Sequence, residues 1–192
     1  PELGAAISAT IAAIVQRIGE RRIEELIELP AMTDRESLAL MVLFNNSMPA
    51  AFQSEPALGA YLTAQMVLLS LELGNCALSS HAYCAFTGVL LRTELHHLAY
   101  RFGKLGVDLN RRFDDRALRP TVDFVFAMFA MPWAGPIDDA TAYLRDAARI
   151  GREVGEHLHA GYAAGLEIAY RMFHGAEPLD EICRDARIYR QQ

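Results

Sequence analysis

The chain has 192 residues, 52% of them apolar, and a formal net charge of −6 from 18 basic and 24 acidic side chains. That length is enough to bury the core of one domain, and so large an apolar fraction excludes a disordered chain. The acidic balance gives no support to nucleic-acid binding, and three cysteines fit no disulfide framework, which points to a reducing, cytoplasmic compartment.

The chain begins at Pro1 rather than at a methionine and reads as an excised piece of something longer. Residues 4–15, GAAISATIAAIV, are one of its two most apolar runs, and FVFAMFAMPWAGP at 124–136 is the other. Both fall short of the roughly 20 residues of a membrane span, so none is expected. The first also lacks the basic start and cleavage site of a signal peptide. Residues 1–73 read as about four irregular helices broken near Pro30, Pro49 and Pro56. Thr33 and Glu36 in TDRE fit a capping box, and Ser54 precedes EPALGAYL as a further helix start. Gly74-Asn75 ends that stretch.

Beyond Gly74 the helices alternate in character. Dense apolar helices are expected at 78–93, 116–131 and 158–174, each followed by an amphipathic one. In 95–113 the residues Leu95, Leu98, Ala99, Phe102, Leu105, Gly106, Leu109 and Phe113 draw one stripe at helical spacing. Ile137, Ala140, Leu144, Ala147, Ile150, Gly151 and Val154 do the same. Asp138 and Asp139 suit a first turn, and Gly155 and Gly175 suit helix ends. Helix ends at Gly74-Asn75, Asp114-Asp115 and Gly155-Glu156 recur at a period of roughly 40 residues, which means stacked antiparallel helical hairpins. The expected fold is therefore all-α, one repeat domain over 1–192, with irregular helices over 1–73 and about three repeat units over 74–192.

Cys76, His81 and Cys84 raise the question of a metal or thiol site. On a helix His81 and Cys84 share a face, Cys76 lies just before it, and His96 or His97 would have to complete a zinc set. No paired C-x-x-C and no H-E-x-x-H occurs, and Ala82, Ala85 and Gly88 are the small neighbours of a close helix contact. Packing is the reading preferred here, with no metal and no cofactor expected; a helical metalloprotein or thiol enzyme using these three residues is the rival. His157 and His159 are too close in sequence to chelate from one helix face. Asp114-Asp115 and Asp138-Asp139 sit where carboxylates cap. Gly103-Lys104 belongs to no phosphate loop, and GYAAG at 161–165 has Ala163 where a nucleophilic serine would stand. The better signal is polar residues placed in dense helices: His81, Arg92, Asp123, His159, Glu167 and Arg171. Such groups either pair internally or line a ligand or peptide groove.

The stretch PAMTDRESLALMVLFNNSMPAAFQSEPALGAYLTAQMVLLSLELGNCALSSHAYCAFTGVLL resembles the helical-repeat region of large bacterial hybrid signalling proteins. So do AYRFGKLGVDLNRRFDDRALRPTVDFVF and AGYAAGLEIAYRMFHGAEPLDEI. Such proteins join a serine/threonine-kinase-like domain, an ATPase of the signal-transducing AAA-like class, this repeat region, a GAF-type sensor and often a histidine kinase. The likeness runs from Arg22 to Tyr189 and is most specific at LPAMTD, LELGN and FHGAEPL. No kinase or ATPase motif falls within it, so it carries over no catalytic residue. It implies a tetratricopeptide-like array that binds a protein, a peptide, a small effector or other domains of the same chain, and relays that state to output domains.

Overall fold

The computed structural model describes residues 2–191, and side chains up to residue 189. Among the described residues there are nine α-helices, three short 3-10 helices and no strand. The chain is all-α, as its periodicity requires. The helices gather into two compact units, Pro1–Phe113 and Asp114–Gln192. No shift in composition marks that junction. Its local sign is Asp114, a non-glycine residue at φ 51° directly after a helix end.

The first unit contains α1 (Glu2–Ile18), a 3-10 helix (Ile23–Glu28), α2 (Arg35–Ser54), α3 (Pro56–Leu73), α4 (Ala77–Leu90), a 3-10 helix (His96–Leu98) and α5 (Ala99–Phe113). The cap of α2 is Asp34, whose carboxylate accepts from Ser37 N at 2.8 Å; the expected Thr33–Glu36 box is displaced by this nearer acceptor. Pro49 does not break α2 but lies inside it, where it gives up one backbone hydrogen bond and crowds the carbonyl one turn earlier; the packing of α2 on α3 keeps the helix continuous. Pro56 opens α3, where its missing N–H costs nothing. The 3-10 turn at His96–Leu98 delays α5 to Ala99, four residues after the expected start. Among the described residues one helix, α3, is long and apolar enough by length and composition to cross a membrane, where the sequence led to the expectation of none. It is the helix on which α1, α2 and α4 all pack, so its apolarity has partners within the unit.

Two devices lock this unit. Helices α4 and α5 run antiparallel in close contact. Cys84 Sγ donates to Gly103 O (3.2 Å) and Thr87 Oγ1 to Ala99 O (3.1 Å). A Cβ at Gly106 would land on the Ser80 carbonyl oxygen and 2.6 Å from Cys84 Sγ. Below them Tyr83, Phe86 and Phe102 are fully buried with tilted and edge-on ring contacts. The second device is Asn75. Its amide donates to Leu26 O (2.8 Å), its side-chain oxygen accepts from Tyr83 OH (2.9 Å), and its backbone exchanges bonds with Pro30 O and Met32 N. Gly74, at φ 99°, fits only because it has no side chain to strike the Pro30 carbonyl.

The second unit contains α6 (Arg119–Phe129), a 3-10 helix (Met131–Trp133), α7 (Ile137–Val154), α8 (His157–His174) and α9 (Leu179–Gln191). Successive helices are antiparallel. Arg116, just before α6, meets Glu153 of α7, and Phe126 meets Tyr143 across α6 and α7; Gly151 meets Ala160 and Arg145 meets Glu167 across α7 and α8. Gly155 and Gly175 close α7 and α8 in the left-handed conformation that the sequence assigned them.

Candidate functional site

Helix α4 does not assemble Cys76, His81 and Cys84 into a site. Cys76 is the residue before the helix and forms a capping box with Ser79, its N–H donating to Ser79 Oγ at 3.0 Å. His81 Nδ1 donates to Asn45 Oδ1 on α2 (2.7 Å), and Cys84 faces Gly103 and Gly106 on α5. The three side chains serve three different neighbours. Among the described residues no group of three His, Cys, Asp or Glu side chains is placed to hold a metal ion. His96 and His97 lie exposed in the 3-10 turn before α5.

The densest polar constellation is on α8. Glu167 is wholly buried, and its Oε1 accepts from Arg145 Nε (2.8 Å) and Arg171 Nη1 (3.4 Å). Its second oxygen, also buried, has no hydrogen-bond partner. Arg171, 7% exposed, reaches past Glu167 to Glu177 (3.0 Å from Nε) and Asp185 (2.8 Å from Nη1). Hydrogen bonding to Glu177, then to Asp185, keeps the Arg171 guanidinium charged well above its ordinary range, and in return holds the Glu177 carboxyl below its own. One guanidinium thus joins α8, the loop after it and α9.

The remaining polar candidates lie apart in type. Asp123 is fully buried on α6, with Oδ2 3.6 Å from Arg119 Nε one turn earlier. His159 sits in the first turn of α8. The Glu156 carboxylate caps that turn by accepting from His159 N (2.8 Å) and from His159 Nδ1 (3.0 Å), with Thr121 Oγ1 3.1 Å from the same nitrogen. Its ring rests against Phe124 and Tyr162. Arg92 is not in a dense helix: α4 ends at Leu90, and Arg92 is exposed in the following turn, where Thr93 bonds back to Leu90 O and forward to Leu95 N. Of the six predicted positions, Glu167 and Arg171 are joined by a direct ion pair to each other. Arg145, Asn45, Glu177 and Asp185 complete these contacts, and nothing in their local sequence marks them.

The three stretches on which the family resemblance is most specific have architectural roles. LPAMTD and LELGN meet in the bridge between Ala31 and Asn75, and the aspartate of the first caps α2. FHGAEPL supplies the Gly175 helix end and Glu177, the partner of Arg171. The arrangement can hold helices in register: the buried Glu167 and the Arg171 guanidinium face each other. No protein-family model, no curated protein and no solved structure matches the chain.

Proposed function

We propose that this chain is a non-catalytic, tetratricopeptide-like interaction module of a cytoplasmic bacterial signalling kinase or ATPase, relaying partner or effector binding to output domains. Internal spacing supports the repeat reading. Some helices two apart in sequence touch in both units; across α1 and α3 the partners lie 55 residues apart, and in three other contacts they lie 36, 38 and 43 apart: Asn45 to His81, Thr121 to His159 and Ala127 to Tyr170. A stack with one hairpin per roughly 40 residues produces that offset.

The observation that carries the interaction reading is the outer face of α2. No charged residue occurs between Glu36 and Glu55, yet Leu40, Val42 and Leu43 stand 41%, 49% and 58% exposed. Leu40 and Leu43, one turn apart, share a face, and exposed apolar side chains so placed suit a surface that another protein covers. The buried Glu167 and Arg171, by contrast, are paired with each other. The test is a Leu40→Glu, Leu43→Glu double variant in the intact signalling protein. Helicity and Tm should stay within error, while autophosphorylation of the parent changes severalfold. Unchanged output with intact fold would sink the reading.

A further inference from the structure

Helix α9 is held differently from the other helices of its unit. It has 13 residues, a length at which an isolated helix is marginal in water. Up to Tyr189, Ile182 is its one fully buried apolar side chain; Leu179 and Ile188 stand 66% and 46% exposed. The remaining anchor is polar: Asp185 to Arg171 Nη1 at 2.8 Å, reinforced by Glu177 from the preceding loop. Arg152 of α7 lies over the Tyr189 ring at 5.9 Å. Asp185 and Glu177 are partly open to water, whereas Arg171 is not. Water and salt therefore reach the carboxylate side of the anchor first.

The surface beneath α9 does not depend on α9 for its order. Arg171 is also tied to Glu167 of its own helix, and Glu167 is tied to Arg145 of α7. When α9 leaves, α8 keeps a cation held by Glu167, and the apolar surface that buries Ile182 is uncovered. A cation next to an apolar surface selects a helix that offers both groups on one face, and residues three apart share a face. Ile182 and Asp185 have that spacing.

We propose that α9 is an exchangeable occupant of a helix-docking site on α8. The partner it excludes is an amphipathic helix presenting a branched apolar side chain and, three residues later, a carboxylate to Arg171. This rests on the interaction-module reading and names one partner type for it.

The test is hydrogen exchange on the full chain, joined to binding of a fluorescent peptide of residues 176–191. Amides of α9 should exchange about tenfold or more faster than those of α7 and α8, through an opening below global unfolding. Adding salt, or the Asp185→Asn change, should speed α9 by about tenfold again while α7 and α8 stay unchanged. The labelled peptide should bind the Asp185→Asn chain, and a peptide with asparagine in place of that aspartate should not. Exchange of α9 in step with α8, at any salt, overturns the proposal, and so does an α9 that opens without peptide binding. Failure of the broader reading shows elsewhere, as unchanged output from the α2 double variant in the other unit.

Discussion

Gly106→Ala is the sharpest test of the packing described for α4 and α5. Alanine is the better helix former, by about 1 kcal/mol in an exposed helix interior. At Gly106 the added methyl would collide with the Ser80 carbonyl oxygen and lie 2.6 Å from Cys84 Sγ and 2.9 Å from Cys84 N. Two of these three atoms are helix backbone and have no rotamer to escape into. Relief requires α5 to move off α4, which stretches the Cys84–Gly103 and Thr87–Ala99 contacts. Overpacking of this kind costs about 1–3 kcal/mol, enough to outweigh the propensity gain. The expected Tm loss is about 2–4 °C per kcal/mol for a chain of this size. Gly161→Ala and Gly165→Ala on α8 are the internal control, since a Cβ there meets nothing within 4 Å. Each should stabilise by about 0.5–1 kcal/mol, the same substitution with the opposite sign. Thermal unfolding followed by circular dichroism measures all three. A Gly106→Ala protein that melts as high as the Gly161→Ala protein would show that α4 and α5 do not cross as described.

Three further outcomes are expected. Asn75→Leu removes the amide bond to Leu26 O, which keeps its bond from Leu29 N, and the acceptor of Tyr83 OH, at about 0.5–1.5 kcal/mol for each bond; a urea midpoint equal to the parent's would refute the role given to Asn75. Arg171→Met leaves the buried Glu167 with Arg145 alone and should cost about 3–5 kcal/mol, as removal of one member of a buried ion pair does; the check is equilibrium denaturation, and a neutral result would place Glu167 in water. The third outcome concerns pH. Hydrogen bonds from Arg101 hold Glu24 down from 4.5 to about 2. A depressed carboxylate stabilises the fold fully above its unfolded value, and that stability drains as pH falls from about 4.5 towards 2. Glu24 is half exposed, so the effect is small and salt-sensitive. Glu24→Gln should therefore lose less stability than the parent between pH 6 and pH 3, and equal losses would contradict the pairing.

The helices were legible because their signals are local. The stripes in 95–113 and 137–154, and the glycines at Gly74, Gly155 and Gly175, lie within a turn or two of what they determine. Misjudgements arose where a neighbour decided. Asp34 outcompeted Thr33 one residue away, and α2 ran through Pro49. The candidate site was half legible. Buried polar side chains at Asp123, Glu167 and Arg171 stood out against apolar neighbours. Their partners did not, because Arg145 lies 22 residues from Glu167 and Asp185 14 from Arg171, and such pairings exist only once helices stack. Cys84 was readable as packing from the small residues around it, but its contact with Gly106 needed the antiparallel register of two helices.

The ties between the Ile23–Glu28 turn and α5 also set a waiting time at the ribosome. Glu24 must wait for Arg101, 77 residues downstream, and Glu28 for Arg112, 84 residues downstream. At synthesis rates of about 5–20 residues per second the interval is about 4 to 17 s. Hairpins such as α2–α3 join helices one residue apart and can close within it, whereas Ile23 and Leu26, both buried in the finished unit, must do without α5 until the end. The Ile23–Glu28 turn is thus a clasp that fastens only once α5 has emerged, and until then its apolar side chains are open to a chaperone.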